Sequence, residues 1–169
     1  MRTLVIGGAR SGKSAWAEGE ARATGRPVTV IVTAEALDAE MTARIARHQA
    51  ARPAGWATVE APLALAAALR AASAPQAVVV VDCLTLWLSN QLHHAPADWA
   101  ATRAGLVAAV AAFEGELLLV GNEVGQGVVP LGELSRRFVD ESGWLHQALA
   151  AACERVRFVV AGCVWPLKG

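Results

Sequence analysis

The sequence predicts an α/β fold: a mainly parallel sheet with helices on both faces, in one domain spanning residues 1–169. Three observations point there. Short β-branched apolar runs recur along the chain, alanine-rich segments of helical length separate them, and a glycine-rich turn follows the first run where a strand would feed a helix. Such alternation implies right-handed crossovers, and in sheets of this kind ligands sit at the carboxyl ends of the strands.

In chain order, the run Leu4–Ile6 reads as a buried strand, and Ala15–Ala23 after the glycine-rich turn reads as a helix. Val28–Val32 is the second strand. Ala36–Ala51 has helical length and composition, and a weaker strand follows near Ala57–Val59. Leu63–Ala72 is helical, and Ala77–Val81 is an unbroken apolar run of the kind a sheet covered on both faces demands. Asn90–Asp98 reads as a loop, Trp99–Phe113 as a helix and Leu117–Val120 as a strand. Gly121–Leu134 is the other long loop, and Phe138–Arg155 and Val156–Ala161 close the pattern as helix and strand. Long loops in compact domains tend to be functional. No repeat and no Gly/Ser-rich linker divides the chain.

At 169 residues, 54% hydrophobic and 18% charged, the chain suffices for one well-buried core and is short for two domains. Its formal net charge is zero and it has no basic block, so the footprint of a nucleic-acid binder is missing and small anionic ligands fit better. No apolar run approaches the length of about eighteen residues that a membrane span requires. Cys83, Cys153 and Cys163 form neither an even framework nor a C-x-x-C pair, which points to reduced core thiols in a cytoplasm.

The chemistry concentrates in a few places. Gly7-Gly8-Ala9-Arg10-Ser11-Gly12-Lys13-Ser14 satisfies the pattern G-x-x-x-x-G-K-[ST]. Glycines let backbone N–H groups close around phosphate oxygens, and the following helix N-terminus adds its positive dipole end. Lys13 is then placed to reach the β/γ-phosphates of a nucleoside triphosphate, and the Ser14 hydroxyl to ligate Mg²⁺. A glycine turn beside a surface lysine has the same letters, but the strand before and the helix after argue against it. Asp82 ends the Ala77–Val81 run and faces the same crevice, where it can hold the Mg²⁺ directly or at one remove; an aspartate opening a turn is the alternative.

Asp38, Glu40, Arg44, Arg47, His48 and Arg52 cluster ahead of Pro53. Arg44 and His48, four apart, share a stripe of a helix. Among arginines an imidazole stays neutral, and a neutral imidazole nitrogen can attack phosphorus. On pattern alone, a solvated polar helix face is the stronger reading of this segment. His93 and His94 fall in the expected loop with no carboxylate at metal-ligand spacing, and His146 falls in a helix; surface or packing roles fit all three. Gly121–Pro130 reads equally as a substrate loop or a plain connection, and most of the six tryptophans as core or interface anchors.

Taken in order, these segments resemble the bifunctional adenosylcobinamide kinase / adenosylcobinamide-phosphate guanylyltransferase family of cobalamin biosynthesis, nearly end to end. The carriers are Gly7–Ser14, Asp38-x-Glu40-Met41, Arg44-Ile45-x-x-His48 and Arg52-Pro53-x-x-Trp56-x-Thr58-x-Glu60. They continue with Asp82-Cys83-Leu84-Thr85, Trp87, Asn90, Asn122-Glu123-Val124-Gly125-x-Gly127-x-Val129-Pro130 and Arg137-Phe138. The resemblance implies that adenosylcobinamide is phosphorylated with ATP or GTP. GMP from GTP then passes through a histidine phosphoramidate to adenosylcobinamide phosphate, giving adenosylcobinamide-GDP. By resemblance that histidine is His48.

Guanine-nucleotide contacts are implied for Gly7, Gly8, Ala9, Arg10, Ser11, Gly12, Lys13 and Ser14. They are also implied for Val32, Thr33, Ala34, Gln49, Ala50, Ala51, Arg52, Glu60 and Asp82. A RecA-like P-loop fold and a homotrimer follow from the same analogy. The chain departs from the family pattern at Val32, at His146-Gln147 where an Asn-Gln pair is expected, and in the tail Cys163-Val164-Trp165-Pro166.

Two rival readings use the same residues. A P-loop small-metabolite kinase would employ Lys13 and Asp82 and leave His48 idle, but such kinases carry an arginine-bearing lid and Gly121–Pro130 contains no arginine. A nucleotide-driven assembly ATPase would need a glutamate aimed at water, for which Glu123 is the candidate, and a partner surface that this neutral chain does not advertise.

Overall fold

A sheet buried on both faces needs strands that are apolar at every position, and the valine run at 78–81 meets that demand: each of its residues is at most 1% exposed. The computed structural model describes residues 1–35, 43, 53 and 55–169. Its strands are β1 (Arg2–Gly7), β2 (Val28–Val32), β3 (Ala57–Glu60), β4 (Val78–Asp82), β5 (Glu116–Asn122), β6 (Arg155–Val160) and β7 (Cys163–Lys168). The helices among the described residues are α1 (Lys13–Ala23), α2 (Leu65–Ala72), α3 (Leu84–His94), α4 (Trp99–Ala111) and α5 (Glu133–Ala152).

One sheet runs β3-β2-β4-β5-β1-β6-β7, parallel throughout except for the β6–β7 hairpin. Alternate residues of each strand face opposite layers. Val5, Val30, Val78, Val80, Leu118 and Val120 pack with Ala17 and Ala21 of α1 on one face. Leu4, Ile31, Val79, Val81, Leu117 and Leu119 pack on the other against α2, α3, α4 and α5, around Trp87, Leu88, Leu106 and Leu145. Each fully buried Leu or Val contributes about 1.5–3 kcal/mol relative to exposure. The expected layering, helices on both faces of a parallel sheet, is therefore the observed one. β5 lies between β1 and β4, the RecA-like order in which the phosphate-loop strand and the strand ending in Asp82 are not neighbours.

Several expectations are corrected. Asn90–His94 is not loop but the C-terminal part of α3. Its polar side chains disguise it, because Asn90 and Gln91 are buried and donate to carbonyls: Asn90 Nδ2 to Thr33 O at 2.8 Å and Pro62 O at 3.1 Å, Gln91 Nε2 to Leu63 O at 2.8 Å. Helix α5 begins at Glu133, ahead of Phe138; its residues 133–137 are all exposed, Leu134 included, so no burial marks its start. Strand β7 was not anticipated, and it places Cys163 at the surface instead of in the core. The expected helix Ala36–Ala51 lies outside the described residues, Ala43 apart.

Strand β7 returns through Ala161-Gly162, with φ of 50° and 79°. Two consecutive positive φ values make a type I′ turn, whose usual signal is Asn-Gly. Alanine tolerates this region poorly. Ala161→Asn is expected to stabilise the chain by about 0.5–1 kcal/mol, a rise of roughly 2 °C in Tm, readable in a thermal melt.

Candidate active site

The phosphate loop leaves β1 at Gly7 and enters α1 through Gly12, whose φ of 102° lies in the region open to glycine. Gly7 has no room for a side chain: a Cβ there would stand 2.2 Å from the backbone carbonyl oxygen of Val159 on β6. The other side of the loop is held by the β6–β7 turn, where Gly162 N–H donates to Ser11 O at 2.8 Å. Strands β1 and β6 thus clamp the loop to the hairpin.

Lys13 is 6% exposed, and its ammonium donates to Gly8 O at 2.6 Å, with Ser11 Oγ at 3.4 Å. Burial pulls its pKa below the usual lysine value, with Asp82 acting the other way. Ser14 Oγ donates to Asp82 Oδ1 at 3.5 Å, although the two residues come from α1 and the end of β4. A hydroxyl and a carboxylate oxygen converging beside a helix N-terminus are the hard oxygen donors Mg²⁺ takes, with phosphates and water completing its shell. No larger cluster of His, Cys, Asp or Glu suited to a metal occurs among the described residues.

The floor between β2 and β4 is fixed by Thr33. Its buried hydroxyl donates to Cys83 O at 2.7 Å and accepts from Cys83 N–H at 3.0 Å, while its own N–H donates to Asp82 O at 3.2 Å. Thr33 therefore ties the ends of β2 and β4 together. Val32 is buried, Ala34 half-buried, and Glu60 exposed at the end of the edge strand β3. Trp87 donates from Nε1 to Leu63 O at 3.0 Å and packs against Trp99 at 5.5 Å, so both are core anchors; Trp144 and Trp165 are exposed.

At the end of β5, Glu123 N–H donates to Gly7 O at 2.9 Å, and Asn122 N–H donates to Thr85 Oγ1 at 2.7 Å. The geometry thus gathers Gly7, Gly8, Ala9, Arg10, Ser11, Gly12, Lys13, Ser14 and Asp82 at one end of the sheet, with Thr33 behind them. His48, together with Arg44, Arg47, Gln49, Ala50, Ala51 and Arg52, lies outside the described residues.

Two pairings escaped sequence reasoning. His94 Nε2 lies 3.1 Å from Glu35 Oε2, so a carboxylate distant in sequence does meet the histidine pair. His146, buried in α5, has Nδ1 3.9 Å from Glu123 Oε2. Only the chain's passage from β5 to α5 brings these together; no spacing could announce it.

Fold and site together define a phosphate-loop nucleotide-binding α/β protein. Residues 3–167 match the family model described as cobinamide kinase / cobinamide phosphate guanyltransferase. The chain belongs to that family and is an enzyme.

It is 55% identical over 170 residues to a bifunctional adenosylcobalamin biosynthesis protein CobP of Pseudomonas aeruginosa, covering 100% of this chain and 98% of the relative. It is 40% identical over 179 residues to a bifunctional adenosylcobalamin biosynthesis protein CobU of Salmonella typhimurium, covering 96% and 97%. The like-named protein of Escherichia coli is 39% identical over 176 residues, with the same coverage. A solved structure of a Pyrococcus horikoshii OT3 protein superposes with a TM-score of 0.56 at 10% identity, over 99% of this chain and 86% of that one, a likeness of fold.

Gly7→Ala is expected to weaken nucleoside triphosphate binding by at least about tenfold, ~1.4 kcal/mol, in titration calorimetry, because the new methyl meets backbone that cannot swing away. Burial also lowers the His146 pKa below its ordinary 6.5. The unfolded chain therefore takes up a proton first as pH falls, so stability present above about 6.5 is lost from there down to the depressed folded-state value. Urea unfolding at neutral and mildly acid pH is expected to show a smaller acid loss for His146→Asn than for the wild-type chain.

Proposed function

We propose that this chain uses one triphosphate cradle for both activities of its family. It phosphorylates the aminopropanol hydroxyl of adenosylcobinamide with ATP or GTP, then moves GMP from GTP through guanylylated His48 onto adenosylcobinamide phosphate, yielding adenosylcobinamide-GDP. The observation that carries this reading is the convergence of Ser14 and Asp82, 3.5 Å apart, beside Lys13 at the start of α1, in a chain matching the family over residues 3–167.

Phosphoryl transfer is mainly positioning plus charge stabilisation. Backbone N–H groups of Gly8–Ser14 and the α1 N-terminus hold phosphate oxygens, and Lys13 turns from Gly8 O toward the β/γ bridge. Ser14 and Asp82 would hold Mg²⁺, which neutralises charge on the β- and γ-phosphates when bound. Nucleotidyl transfer needs a neutral nucleophile among cations; His48 with Arg44, Arg47 and Arg52 supplies that set, Arg47 being least aligned on a regular helix. Val32, Thr33, Ala34, Gln49, Ala50, Ala51, Arg52 and Glu60 belong to the guanine-nucleotide side of the same cradle by family resemblance.

Residues 1–169 act in this reading as one catalytic unit that assembles as a homotrimer in the cytoplasm and takes small substrates, not nucleic acid. The zero formal net charge supports small substrates over nucleic acid, and the homotrimer rests on family resemblance.

Incubation with α-labelled GTP is expected to leave an acid-labile, alkali-stable label that disappears in His48→Ala. The same variant is expected to keep phosphorylating adenosylcobinamide. Loss of both activities in a folded His48→Ala chain would contradict the division of labour.

A further inference from the structure

The carboxyl end of the sheet holds a pair of side chains that the cradle does not use. Glu123 follows the last residue of β5, and its N–H bond to Gly7 O seats it directly beside the phosphate loop. One carboxylate oxygen, Oε1, accepts from Gly125 N–H at 2.7 Å. The other, Oε2, faces His146 Nδ1 across 3.9 Å. The His146 ring, 8% exposed, has its opposite nitrogen against Gly121, where a Cβ would come within 2.8 Å of Nε2. The imidazole is therefore wedged between the backbone of β5 and the Glu123 carboxylate.

We infer that Glu123 accepts the proton of the attacking hydroxyl in the kinase step, and that His146, lodged between Gly121 and Glu123, is the positioning residue that aims its carboxylate. This rests on the kinase activity proposed above.

Position argues for Glu123 over the other described carboxylates at this end of the sheet. Asp82 faces the Ser14 hydroxyl, Glu35 faces His94, and Glu60 is on the edge strand with β2, β4 and β5 between it and β1. Glu123 alone among these adjoins Gly7. In the step, the acceptor oxygen forms a bond to the γ-phosphorus as the bond from that phosphorus to the bridging oxygen breaks. The bridging electron pair departs with the nucleoside diphosphate, and the hydroxyl proton passes to a Glu123 oxygen, which later releases it to water.

Burial favours the neutral form of the His146 ring, and a neutral imidazole can still offer Nδ1–H to the carboxylate it faces. Closing the gap to hydrogen-bond length takes a shift of about 1 Å. An asparagine amide nitrogen stands the same number of bonds from Cα as Nδ1, and leucine reproduces that shape without the donor. The substitutions thus separate aim from packing.

The test uses the full chain, with ATP and adenosylcobinamide for the kinase step and α-labelled GTP for self-guanylylation in the same preparations. Glu123→Gln is expected to lower the kinase kcat by about 100-fold or more, with KM for adenosylcobinamide within about threefold of wild type. His146→Leu is expected to lower kcat about tenfold at similar KM, and His146→Asn to restore it to within about threefold of wild type. Persistence of the guanylyl label in all three shows that the cradle is intact.

A Glu123→Gln chain that keeps more than about a third of the kinase kcat overturns the proton-acceptor role. His146→Asn falling as far as His146→Leu overturns the positioning role. Wild-type chain that neither phosphorylates adenosylcobinamide nor takes up label overturns the preceding reading, and this one with it.

Discussion

A parallel sheet covered on both faces has no place for a charge along its strands, so polar chemistry is forced to the strand ends. In this chain the rule is strict through β4 and β5, where Val78–Val81 and Leu117–Val120 are each at most 1% exposed. Gly7, Thr33, Asp82, Asn122 and Glu123 then appear together at the carboxyl ends of β1, β2, β4 and β5. Residues far apart in sequence meet there because the hydrophobic core leaves them nowhere else to go.

The site is correspondingly stiff behind the phosphate loop. Thr33 locks β2 to β4, Asn90 and Gln91 hold the backbone after β2 and β3, and Gly162 holds the phosphate loop. Each of these bonds satisfies a backbone group that would otherwise be left unpaired near the core. In the function proposed above, the two transfers require little change behind the phosphates and differ in which nucleophile approaches, a substrate hydroxyl or an imidazole. A fixed rear wall suits that economy of parts.

Much of this was legible in the residues. Buried parallel strands announce themselves as unbroken apolar runs, and the phosphate loop and Asp82 are local patterns whose context, strand before and helix after, is itself local. Where the reading failed, the deciding interactions were distant. Asn90 and Gln91 look like loop residues until carbonyls near Thr33, Pro62 and Leu63 are there to receive them. Strand β7 opens with a turn whose first residue is alanine, not asparagine, and it carries Pro166, which an edge strand accepts but sequence patterns count against a strand. His146 had only its helical neighbours to be judged by, and the partner that gives it meaning sits at the end of β5.

The phosphate loop is written at the start of the chain, yet its form is completed by the carbonyl of Val159 and the amide of Gly162. During synthesis, the glycine-lysine signature leaves the ribosome long before the hairpin that shapes it. A nascent polypeptide therefore displays the motif before the strands that brace it exist, and the loop gains those contacts only as β6 and β7 dock beside β1. Any fragment cut ahead of β6 keeps the letters of the motif and loses the backbone that braces them.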